Sequence, residues 1–351
     1  MTIERSSIRY AILAEGNFNS RDSKTANAVL RFIPDSAAAL IDSTQAGKTA
    51  QEVIGYGGDI PIVSSFQETL RYSPNALLIG IAPMGGKLPD EWRTIVLDAI
   101  GEGLDILSGL HTFIGNDEEL ASAANENKVE IIDLRKPPAD LVVSEDRWRE
   151  RSSYVLLTVG TDVAIGKMTT LIQLMDFLQR SALNSVFVAT GQTGLLFTDK
   201  GVCVDAVKSD FIAGSIETEI MKIDNEFELQ LIEGQGSLFH QGYSGVTLGL
   251  IHGSMPDGIL ICHEPSRKVN DYGTPLPTLT EAIDLHKAVI KPFRKVDIIG
   301  ISLYTAELSE DEARIAIKDA EEETGIPADD PVRFGADKLG NVILDAVKGK
   351  N

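Results

Sequence analysis

Hydrophobic residues run along this chain in short blocks. The blocks alternate with stretches in which apolar residues return every three or four positions. Residues 8–14 (IRYAILA), 37–41, 60–63, 76–81, 105–107 and 129–134 have the length and apolar continuity of strands buried on both faces. Between them, 26–32 and 66–72 carry helical spacing, and 88–100 reads as a helix beginning after Pro89. The second half keeps the same rhythm. Strand-like runs stand at 154–159, 185–190, 227–232, 257–262 and 296–303, with 202–206 as a further strand edge. Helices are expected over 309–324 and 337–347. Apolar strands alternating with amphipathic helices predict doubly wound parallel α/β sheets. Pro137-Pro138 and the charged run up to Glu150 mark an interdomain connection. The expected domains are therefore 1–150, Rossmann-like, and 151–351, which opens on the strand at 154–159.

With 351 residues, the chain is long enough for two cores, and 43% hydrophobic with 24% charged residues is ordinary globular composition. The net charge of −20 changes the picture more, because it argues against an extended nucleic-acid footprint and against an acidic membrane surface. Anionic ligands must then be held by local devices. Cys203 and Cys262 stand far apart and in no CxxC, so neither a disulfide framework nor a cysteine metal site is expected. The N-terminus lacks an apolar signal core, and no run of 18 apolar residues occurs. These features predict a cytoplasmic protein acting on a small molecule, with a symmetric homo-oligomer as the usual assembly.

The chemistry concentrates at strand ends. Gly160 to Thr170 is a glycine-bounded turn between a strand and a helix, with Gly160, Thr161, Asp162, Gly166, Lys167, Met168, Thr169 and Thr170 as candidate anion contacts. Backbone N–H groups at such a helix start point at an anion, and the lysine adds a charge. Five residues separate Gly160 from Gly166, one more than the general phosphate-loop pattern. Met168 stands where a hydroxyl normally holds Mg²⁺, and a thioether is a poor ligand for that hard cation. No metal site is therefore assigned. Three more loops follow strands, at 191–194, 233–240 and 263–267, and in an open sheet they line one edge. They bring Gln192, Glu233, Gln235, His240, His263 and Arg267 to that edge. Glu233 ends a strand before a glycine-rich turn, the place for a base or metal-bridging carboxylate. His263 is a neutral-range proton carrier and Arg267 a bidentate carboxylate clamp. Asp205 and Asp210 straddle Lys208 and read either as a carboxylate pair or as a solvated face. In the first domain, Gly16 lacks the dinucleotide fingerprint and AGKT at 46–49 lacks a first glycine, leaving 82–87 and His111 as loop candidates.

The wording GTDVAIGK resembles the loop of dethiobiotin synthetases, and EGQGS at 233–237 resembles their EGAGG. More of the chain is covered by a second resemblance. GIAPMGGKLPDEWR (80–93), GLDILSGLH (103–111), GTDVAIGKMTT (160–170), ATGQTG (189–194), DAVKSDFIAGSIE (205–217) and HEPSR (263–267) look like the DgcN-type D-glutamate N-acetyltransferase family. That resemblance implies a Rossmann-like N-terminal domain followed by a P-loop α/β domain. It also implies acetyl transfer from acetyl-CoA to D-glutamate, a step of D-amino acid catabolism. Under it the loop and Lys167 hold phosphates of acetyl-CoA without Mg²⁺; the dethiobiotin synthetase resemblance implies that Thr169 touches a phosphate oxygen. The base is Glu233, then Asp205, then His263. Gln192, Lys208, Asp210, Gln235 and Arg267 contact substrate, with Arg267 and Lys208 clamping its carboxylates. Two alternatives stay open: a ligase or kinase of the dethiobiotin synthetase kind using Mg-ATP, and a non-catalytic nucleotide sensor.

Overall fold

The computed structural model describes residues 8–20, 22–81, 83 and 85–350. Its contacts divide the chain into two compact units. The first ends at Lys136 and also takes in Leu195–Asp199; the second comprises Pro137–Gly194 and the residues from Lys200 onward.

The first unit holds β1 (Tyr10–Leu13), β2 (Ala37–Ile41), β3 (Ile62–Val63), β4 (Ala76–Ile79), β5 (Asp105–Ser108) and β6 (Ile131–Asp133), with helices α1 (Lys24–Phe32), α2 (Ala50–Ile54), α3 (Phe66–Thr69), α4 (Asp90–Gly101) and α5 (Glu118–Asn127). The strands pair in parallel in the order β3-β2-β1-β4-β5-β6, the Rossmann arrangement. Every residue of β1, β2 and β4 is buried, as continuous apolar runs require when helices cover both faces. Leu196 joins this core. Of the two loop candidates here, Gly86 packs directly under His111: a Cβ on Gly86 would lie 2.6 Å from the imidazole. Ala82 and Met84 of the 82–87 candidate lie outside the described residues.

The second unit holds β7 (Tyr154–Gly160), β8 (Ser185–Val188), β9 (Leu229–Ile232), β10 (Gly258–His263), β11 (Asp297–Leu303) and β12 (Ala328–Asp329). Its helices are α6 (Lys167–Arg180), α7 (Ile212–Lys222), α8 (Ser244–Ser254), α9 (Leu279–Ile290), α10 (Glu310–Thr324) and α11 (Asp337–Lys350). This sheet is also parallel, in the order β12-β11-β10-β7-β9-β8. Alternate residues Val155, Leu157 and Val159 of β7 join Ile216, Ile220, Leu250, Ile251 and Ile283 in one cluster, so α7, α8 and α9 share a face. Right-handed crossovers then put α6 on the opposite face. The connection before β7 is strapped to α7. The buried Glu217 carboxylate accepts from Glu145 N, Arg147 N and Ser144 Oγ.

The expected strand edge at 202–206 is not a strand. Val202 N and Val204 N do bond Ala189 O and Thr190 O, but only one isolated bridge forms and Val204–Ala206 closes as a 3₁₀ turn. Gly201, at φ +130°, bends the chain there and lies against Ala189, whose carbonyl oxygen would sit 2.0 Å from an added Cβ. No helix of the described residues is long and apolar enough to cross a membrane.

Candidate active site

Parallel pairing puts the C-terminal ends of β10, β7, β9 and β8 side by side, so their four loops line one edge. The loop after β7 turns tightly. Ala164 and Gly166 have positive φ, and Gly166 starts α6 at φ +91°. Gly160 leaves room for Ile165 and the Lys167 ammonium, 2.7 and 3.1 Å from where a Cβ would stand. Lys167 folds back into this turn, and its buried Nζ donates to the Asp162 carbonyl at 2.8 Å. Burial lowers its pKa to about 8, against the attraction of Cys262, Asp162 and Glu233 and with the repulsion of Arg267.

Glu233 lies one residue past β9, and the sequence makes room for it. Gly234 passes so close to β7 that a Cβ would stand 1.8 Å from Thr158 O, and its N–H donates to Thr158 Oγ1. The carboxylate reaches over to the end of β8, where Oε2 accepts from Thr190 N at 2.9 Å and Gly191 N at 3.2 Å. Burial raises its pKa to about 7, although those two N–H groups and Lys167 favour the ion. Ser237 donates to Gly160 O, tying the loop after β9 to the phosphate loop.

The loop after β10 is tied in from the other side. Thr161 Oγ1 meets His263 Nδ1 at 2.9 Å. Arg267 donates to Asp162 Oδ2 at 3.0 Å and Val163 O at 2.8 Å, and pairs with Glu264. Asp162 is fully buried, and its Oδ1 has no hydrogen-bond partner. His263, largely desolvated, has its pKa lowered to about 4 and is neutral at physiological pH. Beside it opens a cavity of about 360 Å³ with Leu279, Leu303 and Leu308 among its apolar walls and Glu312, Asp319 and Glu323 among its acids.

The other candidates fall into three groups. Thr170 is buried and bonds Ser302 Oγ, while Met168, Thr169, Gln192 and Gln235 are half-buried on the same edge; Gln235 Nε2 would lie 2.3 Å from a Cβ on Gly191. Asp205, Lys208 and Asp210 are exposed, on or beside the 3₁₀ turns Val204–Ala206 and Ser209–Phe211, and Asp205 accepts from Cys203 Sγ at 2.8 Å. His240 is buried between Tyr243 and Tyr272 and holds Asp271 through Nε2 at 2.6 Å, so it braces two loops. Sequence reading passed over Thr190, Cys262 and His286. His286 lies on α9, its Nδ1 bonded to Ala282 O, its Nε2 without a partner and its pKa lowered to about 4 by burial. Two signals mark α9: Thr278-x-x-Glu281, which does form a capping box, and the helical spacing of Leu279, Ala282, Ile283 and Ile290, whose buried face His286 shares.

A Rossmann-like domain followed by a phosphate-loop domain with this site defines the class of the molecule. Family models match both parts: the Rossmann-like domain of DUF1611_N over residues 43–137, and the P-loop domain of DUF1611_C, a domain of unknown function, over residues 143–340. The chain belongs to the DUF1611 family. It is similar to a D-glutamate N-acetyltransferase of Tritonibacter scottomollicae, 39% identical over 292 residues, which is 81% of this chain and 86% of the relative. It is also similar to a D-glutamate N-acetyltransferase of a Pseudoalteromonas species, 34% identical over 279 residues, covering 78% of this chain and 83% of that one. The crystal structure of a DUF1611 family protein from Anabaena variabilis superposes with a TM-score of 0.90 at 39% identity, covering 98% of this chain and all of that one.

Proposed function

We propose that this enzyme is an N-acetyltransferase that moves the acetyl group of acetyl-CoA to the amino group of D-glutamate, in D-amino acid catabolism. The observation that carries this reading is the match to the two curated relatives over about four-fifths of the chain. The site chemistry supports it. The acceptor arrives as an ammonium and must lose a proton before its nitrogen can attack the thioester carbonyl. The C–N bond then forms, the C–S bond breaks and the thiolate leaves, taking up the proton. Glu233, with a pKa of about 7, is balanced between holding and releasing a proton at neutral pH. We assign it as the base. Asp205 is exposed on the chain between β8 and α7, and His263, with its pKa near 4, holds a proton weakly. Lys167 and the N–H groups opening α6 supply the positive end of the site. Met168 suits a reaction that does not depend on Mg²⁺ at the loop. A cytoplasmic location fits acetyl-CoA as donor.

The test is thiol release from acetyl-CoA by the purified protein without Mg²⁺, given D-glutamate, L-glutamate or no amine. Release that depends on D-glutamate is the expected result. No release with any amine, together with phosphate release from Mg-ATP, would replace this reading with a nucleotide-dependent one.

A further inference from the structure

Both co-substrates of the proposed reaction are anionic, the donor through its phosphates and the acceptor through its carboxylates. Resting on the acetyltransferase reading, we infer that the loop opening α6 receives the amino-acid head group of the acceptor. The head-group carboxylate lies on the loop N–H groups and Lys167, its ammonium lies against Asp162 and Glu233, and the donor diphosphate is held elsewhere.

The fixed charges argue for this first. The charges acting on Lys167 are the Asp162 and Glu233 carboxylates on one side and Arg267 on the other, while the Cys262 thiol beside them, its pKa raised to about 11 by burial, stays neutral. Arg267 is already committed to Asp162, Val163 O and Glu264. A diphosphate in the loop would have Lys167 as its cation and two carboxylates facing it. A zwitterionic head group carries no net charge and has a use for both signs.

Asp162 gives an independent reason. One of its oxygens takes Arg267, while the other is buried with no partner, an expensive state for a carboxylate oxygen. A ligand that relieves it must bring a donor. An ammonium has three N–H donors, whereas a fully ionised diphosphate has none.

Position is the third reason. Glu233 and the loop sit at the ends of β9 and β7, which are hydrogen-bonded neighbours and so about 4.8 Å apart. A base must reach the nitrogen it deprotonates. In CoA the thioester is separated from the diphosphate by the whole pantetheine arm. A diphosphate in the loop would leave Glu233 beside phosphates, whereas an amino-acid head group there puts the reacting nitrogen beside Glu233.

The test is calorimetric titration of the full-length protein with D-glutamate, glutarate or CoA, each without a co-substrate, for wild type, Asp162→Asn and Lys167→Met. Both substitutions should raise the Kd of D-glutamate at least about tenfold, the loss of one charge-assisted hydrogen bond. The Kd of CoA should stay within about threefold in Lys167→Met, and glutarate, which lacks the ammonium, should bind no more weakly to Asp162→Asn than to wild type. A large loss of CoA affinity in Lys167→Met with D-glutamate unaffected would put the diphosphate in the loop and overturn the inference. Failure of wild type to bind D-glutamate would overturn it as well. Melting curves report whether each variant folds, and Lys167→Met carries the D-glutamate arm if Asp162→Asn does not. These titrations need no turnover, so a wild type that binds D-glutamate in this pattern without releasing thiol would sink the acetyltransferase reading and leave the head-group site standing.

Discussion

At Glu233, burial raises the carboxyl pKa to about 7 from an ordinary 4.5 even though the Thr190 and Gly191 amides pull it down, which ties catalysis to stability. Between those two values the folded protein holds a proton that the unfolded chain has released. Stability therefore falls as pH rises through that window, and the full penalty is present above about 7. The base is active when ionised, so kcat/KM should rise from pH 6 to 8 with an apparent pKa of about 7. Glu233→Gln keeps an oxygen for the two amides but carries no charge. It should lower kcat at least about tenfold with the KM for acetyl-CoA little changed. The same variant should melt on the order of 2 °C higher than wild type at pH 8 and no higher at pH 4. Wild-type turnover would remove Glu233 as the base, and a lower melting temperature at pH 8 would show that its ionised form is stabilising.

Among the elements, the phosphate loop is braced from both neighbours, by Ser237 on Gly160 O and by Thr161 and Arg267 toward the loop after β10. The close packing of β9 on β7 holds this frame, and Gly234 permits it: its backbone is not left-handed, so the requirement is space alone. Gly234→Ala would press a methyl group into the Thr158 carbonyl and should cost at least about 2 kcal/mol in urea unfolding. Gly245→Ala, in α8 with no atom within 4 Å of an added Cβ, should be neutral or slightly stabilising. Equal losses at the two sites would mean that Gly234 is not sterically required.

Much of this frame was legible in the chain. The strands are continuous apolar runs, and strand–turn–lysine–helix fixes where β7 ends and α6 begins. Helix α5 was not legible, because EELASAANEN offers a single large apolar residue to a moment and forms through the Asp117 cap and packing on its neighbours. Nor was the engagement of Arg267 with Asp162, since the path of a loop, rather than residue type, decides which charge an arginine meets. Asp205, Lys208 and Asp210 are exposed on the long, irregular chain between β8 and α7, whose path residue type does not announce, and Val204 N on Thr190 O ties that chain to the end of β8.

For the molecule as a whole, a net charge of −20 meets co-substrates that are both anions in the proposed reaction. Two effects of salt then compete. Screening weakens the long-range repulsion of an incoming anion, and it also weakens the local attraction that finally holds it. The Debye length shrinks to about 10 Å at 0.1 M, so contributions from charges spread over the surface are largely removed, while buried pairs are screened much less. Lys167 is buried, and the N–H groups at the start of α6 lie within the same turn. The repulsive part should therefore be lost first. Raising NaCl from about 0.02 to about 0.3 M should increase kcat/KM for D-glutamate roughly twofold, mainly through KM. The opposite trend, kcat/KM for D-glutamate falling steadily with salt, would mean that exposed cations hold D-glutamate and that the buried lysine is not its principal partner.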